Sequence, residues 1–271
     1  MHLITEQWVE QRVIHRALNG HKKTFGHVLI VAGSEGKAGA AILCAKAALH
    51  SGCGMVTALL PKDAVTVLLE QCPEIMYLNN PIIEGVDLKT FDAILMGPGI
   101  GFSEIAKSNL KYILDNFDGS ILLDADALTI IANEKYMLKA NHIVTPHPGE
   151  FSRLMNIEYD EDKRVEQALL FIEKTNAVLV LKGAKTIVAS SSNVLMQNTT
   201  GNDGMATAGS GDVLSGIIAA LCARGYSKFN AAAIGVYIHG LAGDMAVMNI
   251  SKSGLVASDI INSLSKIRIL D

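Results

Sequence analysis

Seven short runs of aliphatic and β-branched residues recur along the chain. They are "HVLIVAG" (27–33), "GMVTALL" (54–60), "EIMYLN" (74–79), "AILMGPG" (93–99), "SILLDADA" (120–127), "HIVTPH" (142–147) and "AVLVLKG" (177–183). Several are apolar on both faces. Such strands need cover on both sides, which places them in the middle of a sheet between two helical layers. Helical patterns at 39–52, 62–71, 103–116, 127–134 and 160–175 lie between the runs and supply that cover. Strand–helix alternation predicts a largely parallel sheet with right-handed crossovers.

The alternation breaks at 186–198, where "TIVAS" and "VLMQN" flank a Ser-Ser-Asn turn. Two short strands about a polar turn read as a hairpin, expected at one edge of the sheet. Helical patterns at 212–224, 228–249 and 255–266 follow. The expected fold is α/β, a single domain over 1–271: a three-layer α/β/α sandwich with a mostly parallel central sheet and an antiparallel edge hairpin.

Composition narrows the function classes. Hydrophobic residues make up 49% of the 271 positions and charged residues 18%, which suits a globular chain and not a disordered one. The formal net charge is -4, with basic residues spread along the sequence, so neither a nucleic-acid surface nor an anionic-membrane partner is expected. Cys44, Cys53, Cys72 and Cys222 form no CxxC pair and fit no zinc or disulfide framework. Buried thiols in a reducing compartment are the expectation. "MHLITEQWVEQRV" has no basic segment followed by an apolar run, so no secretory signal is expected. "VLSGIIAALCA" is too short and interrupted to span a bilayer. A soluble, cytoplasmic protein is the reading.

Ligands of open α/β sheets bind beyond the carboxyl ends of the strands. Five clusters fall on that rim: "GSEGKAG" (33–39), "GPGIG" (97–101), "DAD" (124–126), "TPHPGE" (145–150) and "KGAKT" (182–186). A sixth feature is "GNDGMATAGSGDVLSGIIAAL" (201–221). Val213, Leu214, Ile217, Ile218, Leu221 and Cys222 form a helical stripe that puts Asp212 in the first turn of a helix. Gly209 and Gly211 permit a sharp turn whose N–H groups converge, an anion site at a helix start. A plain capping aspartate is the other reading of Asp212.

The remaining rim residues also have two readings each. Lys182 and Lys185 suit nucleotide phosphates, or are two surface lysines. His147, stiffened by flanking prolines, suits a positioned ligand contact or a turn. Glu150 suits a contact to hydrated magnesium, or a helix-start acid. Asp124 and Asp126, two apart at a strand end, should point to opposite faces, so that one of them reaches the cleft.

"GSEGKAG" is not a P-loop, because position 31 is valine and position 38 is alanine, and no GxGxxG follows the first strand. No histidines sit at HxxxH or HExxH spacing, and Ser210 lies in no GxSxG elbow.

Taken together, "HVLIVAGSEGKAGAAILCAKAALHSGCGMVT", "GPGIG", "DADAL", "TPHPGEFSRL", "LKGAKTIV" and "GNDGMATAGSGDVLSGIIAAL" resemble the ADP/ATP-dependent NAD(P)H-hydrate dehydratases of the ribokinase-like superfamily, in that family's order and over nearly the whole chain. The resemblance implies ADP- or ATP-driven dehydration of the S form of NADH or NADPH hydrate, releasing phosphate and AMP or ADP, with magnesium on the nucleotide. Asp212 would be the base. Ala40, Gly101, His147 and Asp212 would contact the hydrated dinucleotide. Lys182, Gly183, Ala184, Lys185, Thr186 and Gly211 would contact the adenine nucleotide. The amides of Ala208, Gly209, Ser210 and Gly211 would form the anion hole. An Asp212 carboxylate of ordinary pKa is expected, ionised at neutral pH. Members of the family usually assemble as tetramers, and many carry an additional epimerase domain for which this chain looks too short.

Two rivals share the sequence features. One is a kinase acting on a small-molecule alcohol such as a vitamin precursor. The other is a nucleotide-binding regulator without turnover. "TPHPGE" with "GNDGMATAG" favours the dehydratase over the first, and an intact Asp212 turn favours it over the second.

Overall fold

The computed structural model of the chain describes residues 1–78, 80–192 and 194–270, with the side chain of Asp63 left aside. Its strands are β1 (His2–Ile4), β2 (His27–Val31), β3 (Met55–Leu59), β4 (Met76–Tyr77), β5 (Ala93–Met96), β6 (Ser120–Leu123), β7 (His142–Val144), β8 (Val178–Leu181), β9 (Ile187–Ser190) and β10 (Val194–Asn198). Among the described residues they form one sheet in the order β1-β10-β9-β8-β7-β6-β5-β2-β3-β4. Strands β2 to β8 pair in parallel, while β9 runs antiparallel to both β8 and β10. Every expected strand is present; β10 matches its run in full and the others are shorter than the apolar runs that announced them. Position 79 of the 74–79 run and position 193 of the hairpin turn lie outside the described residues.

One expectation about the sheet needs correction. The β9–β10 hairpin is not the edge, because β1 pairs in parallel with β10, His2 opposite Met196 and Ile4 opposite Asn198. A three-residue strand with only Ile4 buried is too short to reveal a period of two.

Alternate residues of each central strand enter different cores. Val28 and Ile30, Leu95, Leu122 and Val180 face one layer. Leu29 and Val31, Ile94 and Met96, Leu123 and Leu181 face the other. The first layer holds α2 (Ala38–His50), α8 (Ser210–Ala223), α9 (Lys228–Ala246) and α10 (Ala257–Leu264). The second holds α4 (Glu104–Asn116), α5 (Asp126–Glu134), α6 (Pro148–Met155) and α7 (Arg164–Lys174). The remaining helices are α1 (Glu6–Glu10) and α3 (Val65–Gln71). Each fully buried aliphatic side chain contributes about 1.5–3 kcal/mol, so both faces of the sheet drive folding.

One close helix contact bears on two of the expected site residues. Helices α2 and α8 approach until a Cβ built on Gly216 would lie 2.2 Å from the Cys44 carbonyl oxygen and 2.9 Å from Ala47 Cβ. Alanines and glycine at the seam permit that approach. It holds the first turns of the two helices, with Ala40 on one and Asp212 on the other, at the same end of the sheet. Among the described residues no helix is long and apolar enough to cross a membrane. All four cysteines are free and buried.

Candidate active site

Gly209 precedes α8 with φ of 84°, a left-handed conformation that side chains rarely adopt. The chain turns there and enters the helix at Ser210, which makes Asp212 its third residue. Ser210 N–H donates to the Thr207 carbonyl at 3.3 Å, and Val213 N–H to the Gly209 carbonyl at 3.0 Å. Among the described residues, the amides of Ala208, Gly209, Gly211 and Asp212 have no protein acceptor. The helix start therefore presents unpaired donors and the positive end of its dipole. Of the four expected anion-hole amides, that of Ser210 is instead occupied within the turn.

A polar relay lies beside this turn. Lys182 Nζ donates to Asp124 Oδ1 at 2.8 Å, and Ser215 Oγ donates to Asp124 Oδ2 at 2.7 Å. Ser215 is fully buried and Asp124 is 1% exposed. Lys182 Nζ also lies 3.8 Å from Glu150 Oε2, and a Cβ built on Gly211 would lie 3.5 Å from it. The ammonium thus stands next to the amide turn. Burial works against its charge, yet Asp124, Glu150 and Asp212 together hold its pKa above the ordinary lysine value.

Asp212 is pushed up to about 6, by burial first and then by the negative charge of Asp124, with Lys182 opposing and Asp126 adding to the rise. The expectation of an ordinary carboxylate value is therefore corrected. Sequence spacing does not show that four carboxylates converge on two ammonium groups, those of Lys182 and Lys37.

Asp124 and Asp126 both belong to this cleft, which corrects the expectation that one would point away. Strand β6 stops at Leu123, and Ala125 adopts φ of 49° before α5 begins at Asp126. That positive φ in a non-glycine residue breaks the alternation of the strand. Asp126 Oδ2 accepts the Gly101 N–H at 2.9 Å and lies 3.4 Å from Lys37 Nζ. It ties the 97–101 loop to the 33–40 loop, where Gly33 N–H also donates to the Pro98 carbonyl at 2.8 Å. Ala40 packs at the same junction, with its Cβ 3.2 Å from a Cβ built on Gly99.

His147 and Glu150 form the start of α6, an element that the sequence suggested only through Glu150. The Gly149 N–H donates to His147 Nδ1 at 3.1 Å, and the His147 N–H to Glu150 Oε2 at 2.8 Å. Glu150 Oε1 lies 3.3 Å from His147 Nε2. Both oxygens of Glu150 are engaged, so the helix-start role is the one observed. His147 keeps an exposed ring. In the 182–186 loop, Gly183, Ala184 and Lys185 are exposed, and Thr186 is buried with its hydroxyl donating to the Gly183 carbonyl at 3.0 Å. The guanidinium of Arg164 lies beneath, with Nη2 3.3 Å from a Cβ built on Gly183.

Three residues of the neighbourhood escaped sequence reading. Ser215 and His239 are polar side chains within strongly apolar stretches of α8 and α9, and that contrast was their signal. His239 Nε2 lies 3.3 Å from Ser210 Oγ, and burial, helped by Lys182, pulls its pKa down to about 4, so the ring is neutral. Asp244 on α9 accepts the Gly201 N–H and the Asn202 side-chain amide, each at 2.8 Å, and so anchors the turn that leads to Gly209.

Glycine and carboxylate loops from five strand ends therefore lie on one rim of the sheet beside the amide turn, where the sequence clusters were expected. A family model described as NAD(P)H-hydrate dehydratase matches residues 28–266. The bifunctional NAD(P)H-hydrate repair enzyme Nnr of Moorella thermoacetica is 37% identical over 97% of this chain and 53% of its own length. The ADP-dependent (S)-NAD(P)H-hydrate dehydratase of Neisseria meningitidis is 37% identical over 90% of this chain and 86% of its own. The chain spans about half the length of the bifunctional relatives it matches. A crystal structure of the ADP/ATP-dependent NAD(P)H-hydrate dehydratase of Bacillus subtilis, co-crystallised with ATP and magnesium, superposes with a TM-score of 0.89 at 29% identity, covering 98% of this chain and 96% of that one. Hydroxyethylthiazole kinase of Pyrococcus horikoshii shares the fold, with a TM-score of 0.62 at 14% identity. On its sequence, its fold and the order of its rim motifs, the chain belongs to the NAD(P)H-hydrate dehydratase family.

Proposed function

We propose that the chain dehydrates the S form of NADH or NADPH hydrate, using ADP or ATP as phosphoryl donor. The observation that carries this reading is Asp212, a partly buried carboxylate of raised pKa in a turn of unpaired amides, with Lys182 alongside. Hydroxide is a poor leaving group and phosphate a good one. The hydrate's hydroxyl oxygen attacks the terminal phosphorus, the bond to the bridging oxygen breaks, and AMP or ADP departs. Asp212 takes the hydroxyl proton. The ring nitrogen then expels phosphate, and loss of a ring proton restores the double bond.

The protein's part is positioning and charge stabilisation. Free amides at Ala208, Gly209 and Gly211 suit the oxygens of the transferring group, and Lys182, held by Asp124, adds a fixed positive charge. A base with a pKa near 6 is mostly ionised at neutral pH yet basic enough to accept a proton. Ala40, Gly101 and His147 surround the dinucleotide side of the cleft, and residues 182–186 the nucleotide side. Magnesium would supply charge neutralisation on the nucleotide phosphates. Among the described residues, no group of three or more His, Cys, Asp or Glu could hold a metal ion. The donor set suits an ion carried mainly by phosphate oxygens and water, not caged by protein. Family resemblance supports a tetramer, and four free thiols support the cytoplasm.

The test is recovery of reduced-nicotinamide absorbance from NADH and NADPH hydrates, run with ADP and ATP in parallel. Asp212→Asn should lower turnover at least ~100-fold, the usual scale for a lost general base, with nucleotide binding largely kept. No recovery with either nucleotide, beside phosphorylation of an added alcohol, would transfer the assignment to a small-molecule kinase.

A further inference from the structure

The 182–186 loop leaves β8 with two sides, because consecutive residues at a strand end point in opposite directions. On one side Lys182 Nζ reaches Asp124 at 2.8 Å and stands 3.5 Å from a Cβ built on Gly211. On the other lies Arg164, the first residue of α7. A Cβ built on Gly183 would meet its Nη2 at 3.3 Å, its Nη1 at 3.7 Å and its Cζ at 3.8 Å. The guanidinium thus spans the underside of the loop, away from Lys182 and the amide turn.

One end of that guanidinium is fixed. Nη1 donates to Glu161 Oε1 at 2.8 Å, and the Tyr159 hydroxyl donates to Glu161 Oε2 at 2.7 Å. The other end is not. Nε and Nη2 are buried and, among the described residues, have no acceptor. Buried donors without partners are rare and destabilising, and arginine presents its donors in a rigid fork. Above them Gly183, Ala184 and Lys185 follow one another, all exposed on the outer side of the turn. The Thr186 hydroxyl, on the Gly183 carbonyl at 3.0 Å, ties down one end of it.

We infer that Arg164 is a positioning residue for the adenine nucleotide: without touching it, the guanidinium takes loop carbonyls onto Nε and Nη2 when the nucleotide presses the 182–186 loop back against it. Donors that destabilise the free protein then strengthen the bound one. The inference rests on the nucleotide side of the proposed function.

Arg164→Met tests it by keeping an unbranched stem and removing the fork. The lost ion pair reaches a Glu161 side chain that is 66% exposed, so it contributes little, and two unpaired donors vanish with it. The free variant should therefore melt no lower than the unaltered protein. Its KM for ADP, and its ADP dissociation constant by calorimetry, should rise ~10-fold or more, with kcat and the KM for the hydrate unchanged. Arg164→Lys, a cation without the fork, should show the same rise. Combined with Gly183→Ala, Arg164→Met should weaken ADP by less than the product of the two separate effects, because both act at one contact. An arginine that serves the fold alone gives the reverse, a lower melting temperature with unaltered ADP affinity, and that result overturns the inference. Full ADP affinity in Arg164→Lys, or equal weakening of ADP and hydrate, also overturns it. Should Arg164→Met not fold, Arg164→Lys decides alone: ~10-fold weaker ADP at an unchanged melting temperature sustains the inference, and unchanged affinity overturns it. If the unaltered protein repairs no hydrate, the proposed activity fails on its own, and the ADP titrations still decide the role of Arg164. Absence of ADP binding as well overturns both.

Discussion

As the proposed base, Asp212 would have to be ionised when the hydroxyl proton leaves, and its surroundings oppose ionisation. Burial and the charges of Asp124 and Asp126 raise its pKa to about 6 against the pull of Lys182. The rate profile should therefore show an acidic limb: kcat/KM for the hydrate falls about tenfold per pH unit below about 6. Asp124→Asn sharpens this into a signed prediction. Removing that carboxylate deletes a cause of the rise, so the limb should move to lower pH. Lys182 loses its 2.8 Å partner at the same time, so the plateau should drop. A limb that stays in place would mean that Asp124 does not act on Asp212. The place of Asp212 at a helix start was legible in the sequence because a glycine turn ran straight into an apolar helical stripe. Its raised pKa was not, because the contacts that accompany it span 58 residues from Lys182 to Asp124 and 91 from Ser215 to Asp124. No local period links residues so far apart.

At the scale of elements, the seam between α2 and α8 fixes Ala40 and Asp212, two residues of the proposed substrate cleft, relative to each other. Gly216→Val places a side chain where even a Cβ would lie 2.2 Å from the Cys44 carbonyl. Overpacking of this kind costs about 1–3 kcal/mol, to be read as a lower midpoint in urea. Because Ala40 and Asp212 sit on the two parted helices, kcat should fall as well, by more than the unfolded fraction explains. A milder change on the nucleotide side is Gly183→Ala, whose Cβ meets Arg164 Nη2 at 3.3 Å. It should raise KM for ADP and leave KM for the hydrate unchanged. The central strands were legible because residues on both faces are apolar, which period and length together reveal. Strand β1 has one buried residue. Helix α6 covers only eight residues and opens on Pro148, below the length at which a helical stripe stands out. The joint between β6 and α5 misled the reading of Asp124 and Asp126, since strand alternation cannot foresee a positive φ at Ala125.

For the whole molecule, a carboxyl held above its ordinary pKa ties the proposed catalysis to stability. The Asp212 carboxyl moves from 3.8 to about 6 on folding. The folded state therefore binds this proton more tightly than the unfolded chain. Between those values, stability from this group declines as pH rises. Its contribution is fully present below about pH 4 and lost once pH passes about 6. The difference at neutral pH is on the order of 2–3 kcal/mol, a sizeable part of the 5–15 kcal/mol typical of a folded domain. Asn at position 212 keeps the shape and carries no charge at any pH. Asp212→Asn should consequently melt several degrees higher than the unaltered protein at pH 8, and the gap should close toward pH 4.5. Thermal unfolding of both proteins across that range measures it. A gap that does not depend on pH would show that the charge of Asp212 costs the fold nothing, and that the buried carboxylates are balanced by their lysines alone.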